Sequence, residues 1–379
     1  MKKGQMYRIS AICIAFMLCT FNSAYSQELT IHPGQLWLDN NGKHINAHGG
    51  NIINADGHWY WYGETRAEDG GPMPGVSAYK SDDLVNWTNC GLVLEVLDQP
   101  GHTLERGCVI ERPKVVYNKK TGEYVMIFHY ELKDKGYDAA MAGFAISDTP
   151  EGPFRYIRSL RPHAGVWPAD WTEVDINAAK ALKMEDYKEW WTPEWTEAVK
   201  KGLLLNRDFD GGQMSRDMTV YIDDDGKAYH IFSSEDNLTL HIAELTDDFL
   251  DYTGKYVRMA PAGHNEAPAV MKRNGKYWMI TSGCTGWAPN EARMFWADSI
   301  LGPWTQVPTP FKGDKVDTSF DSQSTYIMQL PGGQYIFMAD RWQPWQLALS
   351  PHIWLPMQFD ANGTPVLEWS DSWNLNDLK

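Results

Sequence analysis

Cysteine is scarce: the 379 residues contain five. Cys13 and Cys19 fall in an N-terminal stretch that reads as a cleaved signal. Cys90, Cys108 and Cys284 remain, an odd number at no metal-ligand spacing. A disulfide framework and a zinc module are excluded, and one disulfide at most is possible, so the fold must rest on a hydrophobic core. Positive charge is short as well. Lys and Arg number 34 against 49 Asp and Glu, a net charge of -15, which argues against nucleic acid and anionic membrane surfaces as partners. No apolar run suits a membrane span of ~20 residues. The longest, Ile9 to about Phe21, follows Lys2, Lys3 and Arg8 and precedes the small residues of Ala24-Tyr25-Ser26. That is the pattern of an export signal over residues 1–26. Phe16-Met17-Leu18 before Cys19 lacks the small residues usual ahead of a lipidated cysteine. The expectation is a periplasmic or secreted, monomeric protein without membrane insertion, metal or cofactor. No linker or low-complexity tract divides residues 27–379, which read as one domain.

Aromatics, by contrast, are abundant, with 18 Trp and 18 Tyr. In an exported protein such rings suit sugar binding, because they stack on the apolar faces of pyranoses, although most serve the core. They recur in a repeat of strand, Gly turn and aromatic strand. The turns are "NADGHWYWYGE" from Asn54, "NKKTGEYVMIFHYE" from Asn118, "DDDGKAYHIFSSE" from Asp223, "KRNGKYWMITSG" from Lys272 and "LPGGQYIFMAD" from Leu330. Gly at such positions is what tight hairpins with positive φ require. Acidic turns and a further aromatic strand follow most of them, as in "SDDLVNW" and "ADSILGPW". Five repeats of about four strands predict an all-β, five-bladed β-propeller. A β-sandwich needs no such period. The segment from about 160 to 210 breaks the repeat. "INAAKALKMEDYKEWWTPEWTEAVKKGLL" has helical spacing, with Trp167, Trp171, Trp190, Trp191 and Trp195 in or near it. It is expected to be a Trp-rich insertion folded over one face.

In a propeller the first strand of each blade lines the central channel. Aligned on Ile52-Ile53, Val115-Val116, Val220-Tyr221, Val270-Met271 and Ile327-Met328, the five strands share one polar position four residues upstream. It holds His48, Glu111, Arg216 with Asp217, Glu266 and Gln323. Glu64 and Glu235, at the ends of second strands, are expected at the same mouth. Carboxylates gathered in a concave, desolvated site raise one another's pKa, as a general acid requires. Plain ion pairs, such as Glu111 with Arg112, would give a purely structural alternative. With export, acidity and Trp content, the pattern points to glycoside hydrolysis by two carboxyl groups, roughly 6.5–9.5 Å apart in an inverting enzyme. "DDDG" at Asp223 lacks the alternating ligands of a calcium loop.

"RPKVVYN" after Glu111, "SRDMTVYIDDDGKAY", "NEAPAVMKRNGKYW", "SGCTGWAPN" and "FDSQSTYI" resemble the family 43 glycoside hydrolases, most of all their exo-β-1,3-galactanase branch. The resemblance covers nearly all of the mature chain. It implies a five-bladed propeller, inversion, and release of galactose from β-1,3-galactan such as the backbone of arabinogalactan proteins. It implies Glu266 as general acid and Asp217 as the group that tunes and orients it. The family's usual base, an aspartate in the first blade, is replaced by "AHGG" with His48 and Gly49. Glu111 and Gln323 match catalytic-centre residues of the branch. Gln323 corresponds to a glutamine proposed as a base through its imidic acid tautomer. It has three open roles: tautomeric base, holder of a water whose proton goes to Glu111, or plain polar wall. Glu64, Tyr130, Glu235, Asn237 and Thr285 match positions that hold the terminal galactose, with Trp287 as a stacking ring or a core residue and His48 beside them on the ring. The alternatives are another family 43 activity, α-L-arabinofuranosidase or β-xylosidase, and a non-catalytic glycan-binding propeller.

Overall fold

The computed structural model describes residues 29–378. The expected signal segment 1–26 lies outside them. The first sheet holds β2 (His48–Ala55), β3 (His58–Thr65), β4 (Gly75–Ser81) and β5 (Thr88–Glu95), after a short β1 (Thr30–Ile31). The second holds β6 (Val109–Asn118), β7 (Glu123–Glu131), β8 (Met141–Ser147) and β9 (Arg155–Leu160). Helices α1 (Glu173–Lys180), α2 (Pro193–Lys200) and α3 (Leu203–Arg207) follow. The third sheet is β10 (Met218–Ile222), β11 (Ala228–Ser234), β12 (Thr239–Leu245) and β13 (Tyr252–Met259). The fourth is β14 (Asn265–Arg273), β15 (Lys276–Gly283), β16 (Arg293–Ala297) and β17 (Thr305–Val307). After β18 (Phe311–Lys312), the fifth comprises β19 (Gln323–Gln329), β20 (Tyr335–Asp340) and β21 (His352–Pro356). The chain ends with β22 (Gln358–Phe359), β23 (Pro365–Glu368) and β24 (Trp373–Asn374).

All five hairpin turns lie where the Gly repeats put them. Asp56-Gly57 and Asn274-Gly275 are two-residue loops with both φ values positive, the conformation that matches the strand twist. The protein is an all-β propeller, but it has six sheets of three or four strands, not five. The additional one joins β22 and β23 through a turn at Asp360–Gly363 and takes β18 as a parallel partner. Its strands are too short to show alternation, and its parallel edge pairs Phe311 with Leu367, far apart in the chain. Phe311 and Leu367 on it pack into the core between the fourth and fifth sheets.

Apolar faces of successive sheets bury one another. Tyr62 and Val76 of the first meet Val115 and Phe128 of the second, and Val116 and Phe144 of the second meet Val220 and Phe232 of the third. Ile231 of the third meets Met279 of the fourth, whose Ile280 meets Phe337 of the fifth. Met328, Met338 and Trp354 of the fifth then pack on Ile52, Trp61 and Trp87 of the first. The strands β2, β6, β10, β14 and β19 therefore neighbour one another in closed order around an axis. Pairing of β1 with β24 ties the two ends of the described chain together.

The three helices pack beside the third sheet. Thr172 caps α1 in a reciprocal box with Asp175, and Thr192 caps α2 ahead of Pro193. Trp195 and Val199 of α2 bury against Leu203, Leu204 and Leu238. Cys90, Cys108 and Cys284 are all free thiols, so the one possible disulfide does not form.

Candidate active site

Four of the axial strands share a local distortion. The pairing register shifts just after His48 on β2, Glu111 on β6, Glu266 on β14 and Ser324 on β19. In the first three, the next residue lies in the left-handed region: Gly49 at φ 61°, Arg112 at 53° and Ala267 at 50°. A bulge of this kind re-aims the side chain beside it and often borders a functional site. Each site residue also faces a polar residue on the second strand of its hairpin: His48 opposite Glu64, Glu111 opposite His129, Glu266 opposite Ser282 and Gln323 opposite Asp340. Of these pairs, Glu64, Glu111, His129, Glu266 and Gln323 reach one mouth and line a cavity of about 370 Å³.

Of the predicted residues, Glu64, Glu111, Asp217, Asn237, Glu266, Trp287 and Gln323 line that cavity, with Arg216. Asn237 donates from Nδ2 to Glu266 Oε1 at 2.8 Å, while Arg216 donates to its Oδ1 at 3.4 Å and to Tyr137 O at 2.8 Å. Burial pushes the Glu266 carboxyl up to about 7, and the charge of Asp217 adds to the rise. Asp217 is itself paired with Arg112 Nη2 at 3.0 Å.

Glu111 lies in the opposite electrostatic setting. Burial alone would raise its pKa, but His129 and Arg66 hold it well below the usual carboxylate range. Its Oε1 accepts from Arg66 Nη2 and from Tyr137 O–H, both at 2.9 Å, and its Oε2 lies 3.3 Å from His129 Nδ1. His129 donates onward to Glu131 at 2.8 Å. Burial disfavours the imidazolium, but the two carboxylates outweigh it and push His129 up to about 9.

Gln323 is fixed at both ends of its amide. Oε1 accepts from the Arg112 guanidinium and, at 2.8 Å, from Trp342 Nε1. Nε2 donates to Ser282 Oγ at 2.9 Å. The two donors on Oε1 have no acceptor role, so the oxygen must face them. Trp342 and Trp287 meet edge to face at 5.0 Å, and the Arg66 and Arg112 guanidinium groups lie over these rings.

Four predicted residues lie outside this cavity. Tyr130 is buried between sheets, with its hydroxyl on Thr103 O. Its strand position alternates away from His129, which takes the channel side. Glu235 is fully buried and binds Arg258, whose guanidinium donates on to the carbonyls of Val199 and Lys200 at the end of α2. His241 completes its shell at 3.0 Å. Three consecutive left-handed residues, Glu235, Asp236 and Asn237, turn the chain so that Asn237 faces the cavity and Glu235 faces the helices. Thr285 donates to Ala288 O at 2.6 Å within its own loop. His48 is fully buried behind the mouth, 3.3 Å from Asp340, which His352 and the Gly49 and Thr325 donors also reach.

The vacancy at "AHGG" also has a physical reason. A Cβ on Gly49 would lie 3.0 Å from Glu64 Oε2 and 3.1 Å from Arg112 Cδ, at a φ that strains any L side chain. A side chain at Gly49 would crowd Glu64 and Arg112.

Among the described residues, His48, Asp340 and His352, and separately Glu111, His129 and Asp217, have potential metal-ligand atoms within 4.8 Å of one another. Asp340 Oδ1 already contacts the Nδ1 atoms of both histidines, at 3.3 and 3.1 Å. His48 Nε2, also buried, has no hydrogen-bond partner among the described residues.

Arg66, Arg112, His129, Tyr137 and Trp342 line the cavity and were not singled out by sequence. For three of them a signal existed. Counting outward from each hairpin turn pairs His129 with Glu111, and Arg66 and Trp342 each follow by two residues the strand-end acids Glu64 and Asp340.

Residues 189–365 match the family described as Glycosyl hydrolases family 43. The chain is similar to a solved family 43 β-1,3-galactosidase with galactodeoxynojirimycin, at 54% identity over 91% of this chain and 100% of that one, with a TM-score of 0.89. It is also similar to an exo-β-1,3-galactanase from Phanerochaete chrysosporium solved with β-1,3-galactotriose. There the identity is 30% over 92% of this chain and 69% of that one, with a TM-score of 0.73. A β-D-galactofuranosidase of Aspergillus niger is 24% identical over 281 residues, 73% of this chain and 68% of that protein.

Proposed function

The chain belongs to glycoside hydrolase family 43, and we propose that it is an exo-acting, inverting enzyme that releases galactose from β-1,3-galactan backbones such as those of arabinogalactan proteins. The observation that carries the chemistry is the contrast between two carboxyl groups on one cavity. Glu266 is held up to about 7 and Glu111 is held ionised. Environments that push paired acids apart assign them opposite roles. The 54% identity to a β-1,3-galactosidase, and the galactotriose on a more distant relative, support galactose as the sugar.

Glu266 donates its proton to the leaving glycosidic oxygen, oriented by Asn237. Asp217 keeps that proton on Glu266 near neutral pH by adding negative charge beside it. Attack by water then needs an acceptor for its proton. In an imidic acid tautomer, Gln323 would carry a hydrogen on Oε1, facing the N–H groups of Arg112 and Trp342. That arrangement pits donors against a donor, so the hydrogen bonds favour the amide. One Nε2 hydrogen is used by Ser282, and the other is left for the attacking water or the sugar. Gln323 therefore positions, and Glu111 accepts. A carboxylate held so low is a weak base, but water bonded to an anomeric carbon is a strong acid, so the transfer occurs late along the attack.

Chromatographic analysis of a linear β-1,3-galactan digest tests the reading. Galactose is expected as the sole early product. Larger oligosaccharides as the first products, or faster cleavage of aryl arabinofuranosides or xylosides than of aryl galactosides, would overturn it. Binding of the galactan with no galactose released would instead mark a glycan-binding propeller.

A further inference from the structure

The helical insertion has no counterpart in the repeat, yet it grips the turn that touches Glu266. Between β11 and β12, Glu235, Asp236 and Asn237 follow one another at φ values of 52°, 56° and 64°. Non-glycine residues seldom hold the left-handed region, and then as single residues rather than runs. The neighbours of Asn237 are held from the insertion. Arg258 donates to both carboxylate oxygens of Glu235 at 2.7 Å, and to the Val199 and Lys200 carbonyls at the end of α2 at 2.8 Å. Arg207, the last residue of α3, donates to Asp236 Oδ2 at 2.6 Å and is itself oriented by Asp208. Leu238 is buried among Trp195, Val199, Leu203 and Leu204. Its carbonyl accepts from His264 N at 3.1 Å, just ahead of the strand that carries Glu266. Asn237 alone of the four turns the other way, with Nδ2 donating to Glu266 Oε1 at 2.8 Å.

We propose that the insertion positions the general acid: α2 and α3, through Arg258 and Arg207, mould the 235–238 turn so that Asn237 holds the Glu266 carboxyl in its donating orientation. Arg207 and Asp236 are then positioning residues, and neither lines the catalytic cavity. The proposal rests on the reading of Glu266 as proton donor. A displacement of about 1 Å in a catalytic group can cost about 10²-fold in rate. Releasing the turn from one helix therefore weakens proton donation, while Glu111, Gln323 and the aromatic wall stay in place. A sugar leaving group needs the donated proton, whereas a dinitrophenolate departs without it. Substrates of the two kinds separate a misaimed acid from general damage to the fold.

The test compares wild type, Arg207→Met, Asp236→Ala and Asp236→Asn on β-1,3-galactobiose and on dinitrophenyl β-galactoside. The Arg207 and Asp236 side chains are 24% and 20% exposed, so the folded state should persist, and thermal melting sets an assay temperature at which every variant is folded. Arg207→Met and Asp236→Ala each break the pair from one side. Each should lower kcat on galactobiose about 10–100-fold with little change in KM, and kcat on the dinitrophenyl galactoside by no more than about threefold. Asp236→Asn keeps an acceptor for Arg207 and tolerates the left-handed region, so it should stay within about threefold of wild type on both substrates. Equal losses on the two substrates, or a wild-type kcat on galactobiose in both pair-breaking variants, would overturn the proposal. Glu266→Gln is the control for the reading beneath it, and should show the same contrast between substrates on a larger scale. Absence of that contrast in Glu266→Gln would overturn the assignment of the acid rather than the role of the insertion.

Discussion

Glu266 is a carboxylic acid made to keep its proton. Its folded pKa of about 7 stands above the ordinary 4.5, through burial first and Asp217 second. A raised pKa contributes stability that is full below 4.5 and lost as pH rises through 7, because ionisation is then forced in a dry site. Glu266→Gln keeps an acceptor for Asn237 but cannot ionise. It should lose activity by about 10²–10⁴-fold, and between pH 4 and pH 8 it should gain stability relative to wild type by on the order of 3 kcal/mol. Denaturant melts across that range check the shift, and the wild-type kcat/KM should fall above about pH 7 as the acid ionises. Glu111 and Gln323 separate in a rescue experiment. Turnover of Glu111→Ala should recover with added azide or formate, which replaces a lost carboxylate, and turnover of Gln323→Ala should not. At this scale the sequence was informative where a residue recurs at one position of the repeat, as Glu111, Glu266 and Gln323 do. It was silent on Tyr137, because its place depends on a loop that no repeat predicts. The direction of Glu235 was not legible, because a strand-end acid looks the same whether the turn aims it at a channel or at a helix end.

The bulge just past the site residue is the device that converts a strand into a presenter of side chains. On β14 it depends on Ala267, a buried alanine at φ 50° whose carbonyl accepts from Ser324 Oγ at 2.6 Å. Glycine adopts that conformation freely, so Ala267→Gly should keep activity and stability within about 1 kcal/mol. A β-branched residue resists it, so Ala267→Val should cost about 1–3 kcal/mol and tilt Glu266 away from Asn237, with a fall in kcat larger than the loss of stability explains. Thermal melts and kcat for the pair distinguish these outcomes. Hairpins were legible because Gly, Asn and Asp mark their turns chemically. Bulges were not, since an alanine or arginine at positive φ leaves no compositional mark. The short β22–β23 hairpin escaped because strands of two and four residues carry too little alternation, although Asn362-Gly363 at its turn was there to be read.

The whole molecule is a ring of sheets closed by packing between its last and first members. Trp373 on β24 donates from its indole to Trp354 O at 2.8 Å, and Leu375 and Leu378 cover the same core. Deleting residues 370–379 should lower Tm by roughly 5–10 °C, the size expected for several kcal/mol in a chain of this length, and scanning calorimetry checks it. Such closure was not visible in the sequence, because a pairing across more than 300 residues follows only from the completed ring. The ring brings an acid from the fourth sheet, a carboxylate from the second and an amide from the fifth to one mouth, and that juxtaposition is the central claim: direct displacement by water, with one carboxyl protonated and the other ionised. The most direct test is a proton NMR time course of galactose released from β-1,3-galactan, recorded before mutarotation. Inversion of the β-linkage predicts α-galactose as the first-formed anomer. First appearance of β-galactose would contradict the account.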